Sequence, residues 1–206
     1  VRHCIRGPDL TPTAVRLLLL APPGAGKGTQ GRRLAAHFCA PHIATGDLLR
    51  EQVAAGTPLG IEARRYMDAG ELVPDLLVVS LVGARIGADP PLTSFVLDGY
   101  PRSEAQAEAA LEWGVDHHRS LHAVINLRVA AHDLVERILT RRRETGRADD
   151  DAATLGERLR VYESTTAPLL DFYRRRNILV EVDGNGEPDV VFDRILEALD
   201  ELGLRS

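Results

Sequence analysis

The stretch Ala21-Pro22-Pro23-Gly24-Ala25-Gly26-Lys27-Gly28-Thr29-Gln30 lies between an apolar run, Val15 to Leu20, and an amphipathic helical pattern. Small residues let backbone N–H groups curl around an anion, and the start of the following helix adds positive potential. The segment therefore has the makeup of a polyphosphate cradle. Gly24, Ala25, Gly26 and Gly28 bring the backbone close, Thr29 offers a hydroxyl, and Lys27 can reach the outer phosphates. A glycine-rich turn that merely caps a helix is the plainer alternative; the GKGT order between strand and helix argues against it. Ala21 stands where the GxxxxGK pattern has its first glycine, and a positive φ there would cost alanine about 1 kcal/mol and shift the loop. Lys27 is the only lysine among 25 basic residues. Lysine and arginine do the same job on a solvated surface, so a chain drifted almost wholly to arginine keeps one lysine by chance or by need.

Two further segments carry groups suited to phosphate, HIATGDLLR at 42–50 and FVLDGYPRSEAQ at 95–106. Thr45 and Asp47 sit where a strand passes into a helix, where capping is their ordinary role. Arg50, one turn on, can aim a planar fork of donors at a phosphate near that helix start. Asp98 follows three apolar strand residues, a position from which a carboxylate can hold magnesium through water; Asp47 could do the same. Arg102 follows Pro101 in a stiff turn and can hold another phosphate edge. Farther on, Arg137 and Arg141 are four apart on a helical pattern whose Leu134, Val135, Ile138 and Leu139 are expected to face the core. Arg147 and Arg158 follow. Taken alone, this run reads as a solvated face balanced by Asp149, Asp150 and Asp151.

The elements that must position these groups alternate short apolar runs with longer amphipathic stretches, the pattern of an α/β domain. Strands are expected at Val15 to Leu20, His42 to Ala44, Phe95 to Leu97, Ala123 to Leu127 and Ile178 to Val182, enough for a five-stranded parallel sheet. Helices are expected at Lys27 to Phe38, Asp47 to Ala55, Gly60 to Asp68, Asp75 to Ile86, Ser103 to Glu112, Ala130 to Arg143, Thr154 to Arg176 and Pro188 to Leu202. Residues 44 to 73 and the loop at 141 to 151 have no strands of their own. Ligands of parallel sheets bind beyond the carboxyl ends of the strands, and the motifs fall there.

The 206 residues carry a net charge of −5, which argues against a protein that coats duplex nucleic acid. No apolar run approaches the roughly 18 residues of a membrane span, and no secretory signal is evident, so a cytoplasmic protein is expected. Cys4 and Cys39 are too few for a disulfide framework or a cysteine-rich zinc site. His117, His118 and His122 have a spacing that could bind metal, but without a cysteine or carboxylate partner at a fixed offset they read better as a solvated loop. Residue 1 is valine and the only methionine is Met67, so residues 1 to 14 are expected to be a disordered extension or a misassigned start, with one domain over 15 to 206.

The wording of these segments resembles the adenylate kinase family, from about Val15 to the C-terminus, including GRADD at 146–150, RLRVYESTTAPLLDFY at 158–173 and VEVDGNGE at 180–187. The resemblance implies a P-loop NTPase core with a helical AMP-binding insert at about 44–73 and a short lid at about 141–151. It implies reversible magnesium-dependent transfer from ATP to AMP giving two ADP, by a monomer. Thr45 and Arg50 would bind AMP, with Gly99, Tyr100, Pro101 and Arg102 at its phosphate and Gln106 on the adenine. The backbone of Glu71, Leu72 and Val73 would close over that nucleotide. Gly24 to Thr29 would hold ATP, Arg137 would stack on its adenine, Arg141 and Gly186 would contact it, and Arg147 and Arg158 would converge on the phosphates. Lys27, Arg102, Arg141, Arg147 and Arg158 would be the catalytic cations. The short lid lacks cysteines, so no structural zinc is expected. Related pyrimidine-nucleotide kinases tend to carry alanine where Thr45 stands and asparagine in the PR-containing turn, so Thr45 with Gln106 favours AMP over CMP, UMP or GMP. A nucleotide-binding paralogue impaired in turnover by Ala21 is the rival of another class.

Overall fold

The computed structural model describes residues 14–87, 93–145 and 152–205. Strands β1 (Arg16–Leu20), β2 (His42–Ala44), β3 (Phe95–Asp98), β4 (Ala123–Arg128) and β5 (Leu179–Asp183) form one sheet in the order β2-β3-β1-β4-β5. Every pairing is parallel. A parallel sheet is covered on both faces, which is why β1 reads as an unbroken leucine run. Leu17 and Leu19 pack on one side with Leu34, Val191, Ile195 and Leu199; Leu18 and Leu20 pack on the other with Val78, Val82, Leu169 and Phe172.

The helices are α1 (Lys27–His37), α2 (Thr45–Ala54), α3 (Pro58–Ala69), α4 (Asp75–Ile86), α5 (Glu104–Asp116), α6 (Ala131–Thr145), α7 (Ala152–Val161), α8 (Leu169–Arg174) and α9 (Pro188–Glu201). The chain reaches β3 and β4 on opposite sides of β1, so the strand order turns at the strand that feeds the glycine loop. Such a turn opens a crevice at the carboxyl ends of the strands.

Three expectations need correction. The stretch from Thr154 to Arg176 is not one helix: α7 passes into a π-helical turn, Tyr162–Thr166, before α8 begins. Pro168 has no N–H to give to the carbonyl four residues back, and the Ala167 N–H instead bonds Tyr162 O at 2.8 Å, a five-residue span. On α6, Leu134 and Ile138 are buried, but Val135 is 41% exposed and does not face the core. That helix also runs to Thr145, into the region expected to be loop. Residues 1–13 of the expected extension and 146–151 of the expected lid lie outside the described residues.

Candidate functional site

The chain leaves β1 and turns through the glycine loop into α1. Gly24 and Gly26 have φ of 86° and 93°, and Gly26 is the left-handed residue preceding α1. Only glycine adopts this geometry without steric cost. The side chain of Lys27 folds back over the loop, Nζ donating to Ala21 O at 2.5 Å and Pro22 O at 3.3 Å. Ala21 has no positive φ; among described residues the non-glycine cases are Cys39, His118 and Asn177. Its methyl packs in the core at 3% exposure. The condition under which Ala21 would strain the loop is thus not met, and the impaired paralogue loses its physical basis.

Asp98 ends β3 beside this loop: a Cβ on Gly28 would lie 3.7 Å from its Oδ2. The buried Nε2 of His42 is 3.7 Å from the same oxygen, longer than a good hydrogen bond, and has no closer partner among the described residues. Burial pushes the Asp98 carboxyl up, but His42, Lys27 and Arg102 outweigh it and hold the group below the ordinary carboxylate range. An ionised, nearly enclosed carboxylate beside a phosphate cradle suits Mg2+, which takes one or two carboxylates plus phosphate and water oxygens. Among the described residues no group of three or more histidine, cysteine or acidic side chains is placed to hold a metal ion by itself.

Thr45 does not cap α2; Ala44 holds that position. The buried Thr45 hydroxyl instead donates to Gly99 O at 2.9 Å, tying α2 to the turn after β3. Gly99 has a φ of 84°, and a Cβ there would come within 2.7 Å of Thr45 Oγ1 and 2.9 Å of Arg102 Nη2. The Tyr100–Pro101 peptide is cis. Arg102 Nε donates to Gly99 O at 2.7 Å. Burial lowers the affinity of Arg102 for its proton; Asp98 opposes this, while Arg158 and Arg50 add to it. Asp47 pairs with Arg50 at 2.5 Å, occupied as an ion-pair partner rather than as a cap.

Two cavities meet here. The larger, about 980 Å³, is lined by Ala21 and by Pro23 to Gln30 of the glycine loop, Lys27 and Thr29 among them, by Asp47 and Asp98, and also by Arg137 and Gly186. The smaller, about 100 Å³, is lined by Thr45, Leu49, Val78 and Gln106, with Glu71, Leu72 and Val73 along one edge. Arg50, Gly99, Arg102 and Arg158 border both. Arg137 also donates to Gly184 O at 3.2 Å, joining α6 to the loop that carries Gly186. Pro101 lines the larger cavity, but Tyr100 does not reach either: its ring is 5% exposed in the core. The side chain of Arg141 and all of Arg147 lie outside the described residues.

Tyr162 and Thr166 also line the larger cavity and were not anticipated. Burial pushes the Tyr162 hydroxyl up to about 12, so it stays a neutral hydrogen-bonding group. The Thr166 hydroxyl donates to Arg102 O at 3.0 Å. They stand four and eight residues after Arg158, a helical spacing that could have revealed them. The three histidines do not share a site: His117 stacks on Trp113, whereas His122 is half-buried against Arg16 at the other end of the sheet. No helix of the described residues is long and apolar enough to cross a membrane.

The adenylate kinase family model matches residues 19–178. The adenylate kinases of Xanthomonas euvesicatoria pv. vesicatoria (strain 85-10) and Xanthomonas oryzae pv. oryzae (strain MAFF 311018) are each 48% identical to the chain over 185 residues, 90% of this chain and 99% of theirs. That of a Nocardioides species is 47% identical over 188 residues, 90% of this chain and 97% of its own. With a glycine loop on a five-stranded parallel sheet and two cavities joined by arginines, the chain belongs to the adenylate kinase family, whose chemistry is phosphoryl transfer between nucleotides.

Proposed function

We propose that this protein transfers the terminal phosphoryl group of ATP to AMP, giving two ADP, reversibly and with Mg2+. The observation that carries the reading is the junction of the two cavities, where Arg50, Arg102 and Arg158 border both spaces. The like charges of Arg158 and Arg50 act on buried Arg102, and two nucleotides meeting through their phosphates would bring anions to all three guanidiniums.

ATP occupies the larger cavity, its phosphates on the N–H groups of Gly24 to Thr29 and on Lys27, its base between Arg137 and the Gly186 loop. AMP occupies the smaller cavity, its phosphate on Arg50, Arg102 and Arg158 and its base toward Gln106. An AMP phosphate oxygen attacks the γ-phosphorus in line; the bond from that phosphorus to the β-γ bridging oxygen breaks, and the electron pair stays on ADP. No protein nucleophile is needed, so the chain supplies alignment and positive charge. Asp98, with Asp47 as a second candidate, would hold Mg2+ through water, and the ion would supply positive charge against the phosphates when bound. Residues 44 to 73 act as the AMP-binding insert, and 141 to 151, with Arg141 and Arg147, as a short lid without zinc. Closing the lid excludes water and suppresses ATP hydrolysis. In this reading the enzyme is a cytoplasmic monomer, as the resemblance to the family implies.

Initial rates with AMP, CMP, UMP and GMP as acceptors test the reading. AMP is expected to exceed the others in kcat/KM by about tenfold or more, and EDTA to abolish the reaction. Equal use of the four acceptors would overturn the choice of AMP.

A further inference from the structure

Gln106 is 3% exposed and lines the smaller cavity, yet its amide is engaged on the protein side at both ends. Its Oε1 accepts from the Arg102 N–H at 2.8 Å, and its Nε2 donates to Asp75 Oδ1. Asp75, the first residue of α4, also accepts from Ser103 Oγ at 3.3 Å through Oδ2. The Ser103 hydroxyl in turn accepts from the Gln106 N–H at 3.3 Å. Turning the amide over would set an oxygen against a carboxylate and an NH2 against an N–H, losing both bonds. The Arg102 N–H can only donate and the Asp75 carboxylate can only accept, so the amide is set from both ends, and the carboxylate is the end that a substitution can change.

We infer that Asp75 is a positioning residue for base selection: it fixes which way round the Gln106 amide faces the smaller cavity. This rests on the reading of that cavity as the AMP site. After its protein contacts the amide keeps one N–H and one oxygen lone pair, in an order that cannot reverse. Adenine offers N1 as an acceptor beside an exocyclic amine donor. Hypoxanthine, nearly the same size, offers N1–H and O6, the opposite order. A site built for one hydrogen-bond pattern rejects the other strongly, provided its own groups cannot turn to suit. Asp75 removes that freedom from a residue 31 positions away in the sequence.

The test uses the wild-type enzyme, Asp75→Asn and Asp75→Leu, with AMP and IMP as acceptors, KM for ATP, and thermal unfolding of each protein. Asparagine keeps the shape and can present either an oxygen or an NH2, so only the Arg102 N–H still selects the orientation and the reversed amide becomes accessible. Both variants are expected to lower the AMP-to-IMP ratio of kcat/KM by about tenfold, with KM for ATP within about twofold of wild type. An unmoved ratio would overturn the role of Asp75, whether or not KM for AMP rises. So would equal losses toward AMP, IMP and ATP with a lowered unfolding midpoint, which mark general loosening. A wild-type enzyme that does not prefer AMP would overturn the AMP reading itself, and the inference with it; preference for AMP with an unmoved ratio sinks Asp75 alone.

Discussion

At the scale of single residues, the site turns on a cation that must fit inside a loop. Lys27 folds against Ala21 O and Pro22 O, a space set by backbone rather than by adjustable side chains. A planar guanidinium is wider and donates in a fixed fork, so Lys27→Arg keeps the charge and loses the fit. That variant is expected to lose about 100-fold in kcat with its unfolding midpoint little changed, measured by coupled ADP formation and thermal unfolding. Near-normal turnover would refute the role given to Lys27. The solitary lysine among arginines, the carboxylate ending β3 and Arg102 after a proline were legible in the sequence, because their residue types limit what they can do. The engagement of Thr45 with Gly99 and the burial of Tyr100 were not legible. Motif letters do not say whether a side chain points into a cleft or into the core.

At the scale of elements, periodicity located all five strands and most helices to within a few residues, since buried parallel strands and amphipathic helices leave distinct patterns. It failed at Thr154 to Arg176, where apolar spacing continues through a π turn that periodicity cannot see. The widened turn has a consequence for the site: it brings buried Thr166 against the Arg102 carbonyl. Thr166→Val keeps the shape but leaves that carbonyl without its donor. It is expected to lose about 1–3 kcal/mol in chemical denaturation and to raise KM for AMP more than KM for ATP. Unchanged stability and an unchanged KM for AMP would mean that the turn does not support Arg102.

At the scale of the whole molecule, a five-stranded parallel sheet was legible but its strand order was not, because pairings between distant segments leave no local trace. The end of the sheet remote from the glycine loop is fastened by His122. Its Nδ1 faces the Arg16 N–H at 3.2 Å and its Nε2 faces the Arg16 guanidinium at 2.8 Å. Burial, then Arg16, push its pKa below the ordinary 6.5, so the fold favours the neutral ring. The unfolded chain takes up the proton first as pH drops. The contribution is therefore complete above about pH 6.5 and is lost as pH falls through that value toward the depressed folded one. Urea midpoints are expected to fall between about pH 7.5 and 5.5, less steeply in His122→Gln; identical pH profiles would exclude His122 as a source. At the other end of the sheet, where three arginines border both cavities, the proposed function is direct transfer from one nucleotide to the other. The most direct measurement follows the fate of label from ATP labelled at its γ-phosphorus, with AMP and Mg2+ present. Label should enter the β-phosphate of ADP formed from AMP, with little released as inorganic phosphate. Release mainly as inorganic phosphate, or no label in that ADP, would contradict it.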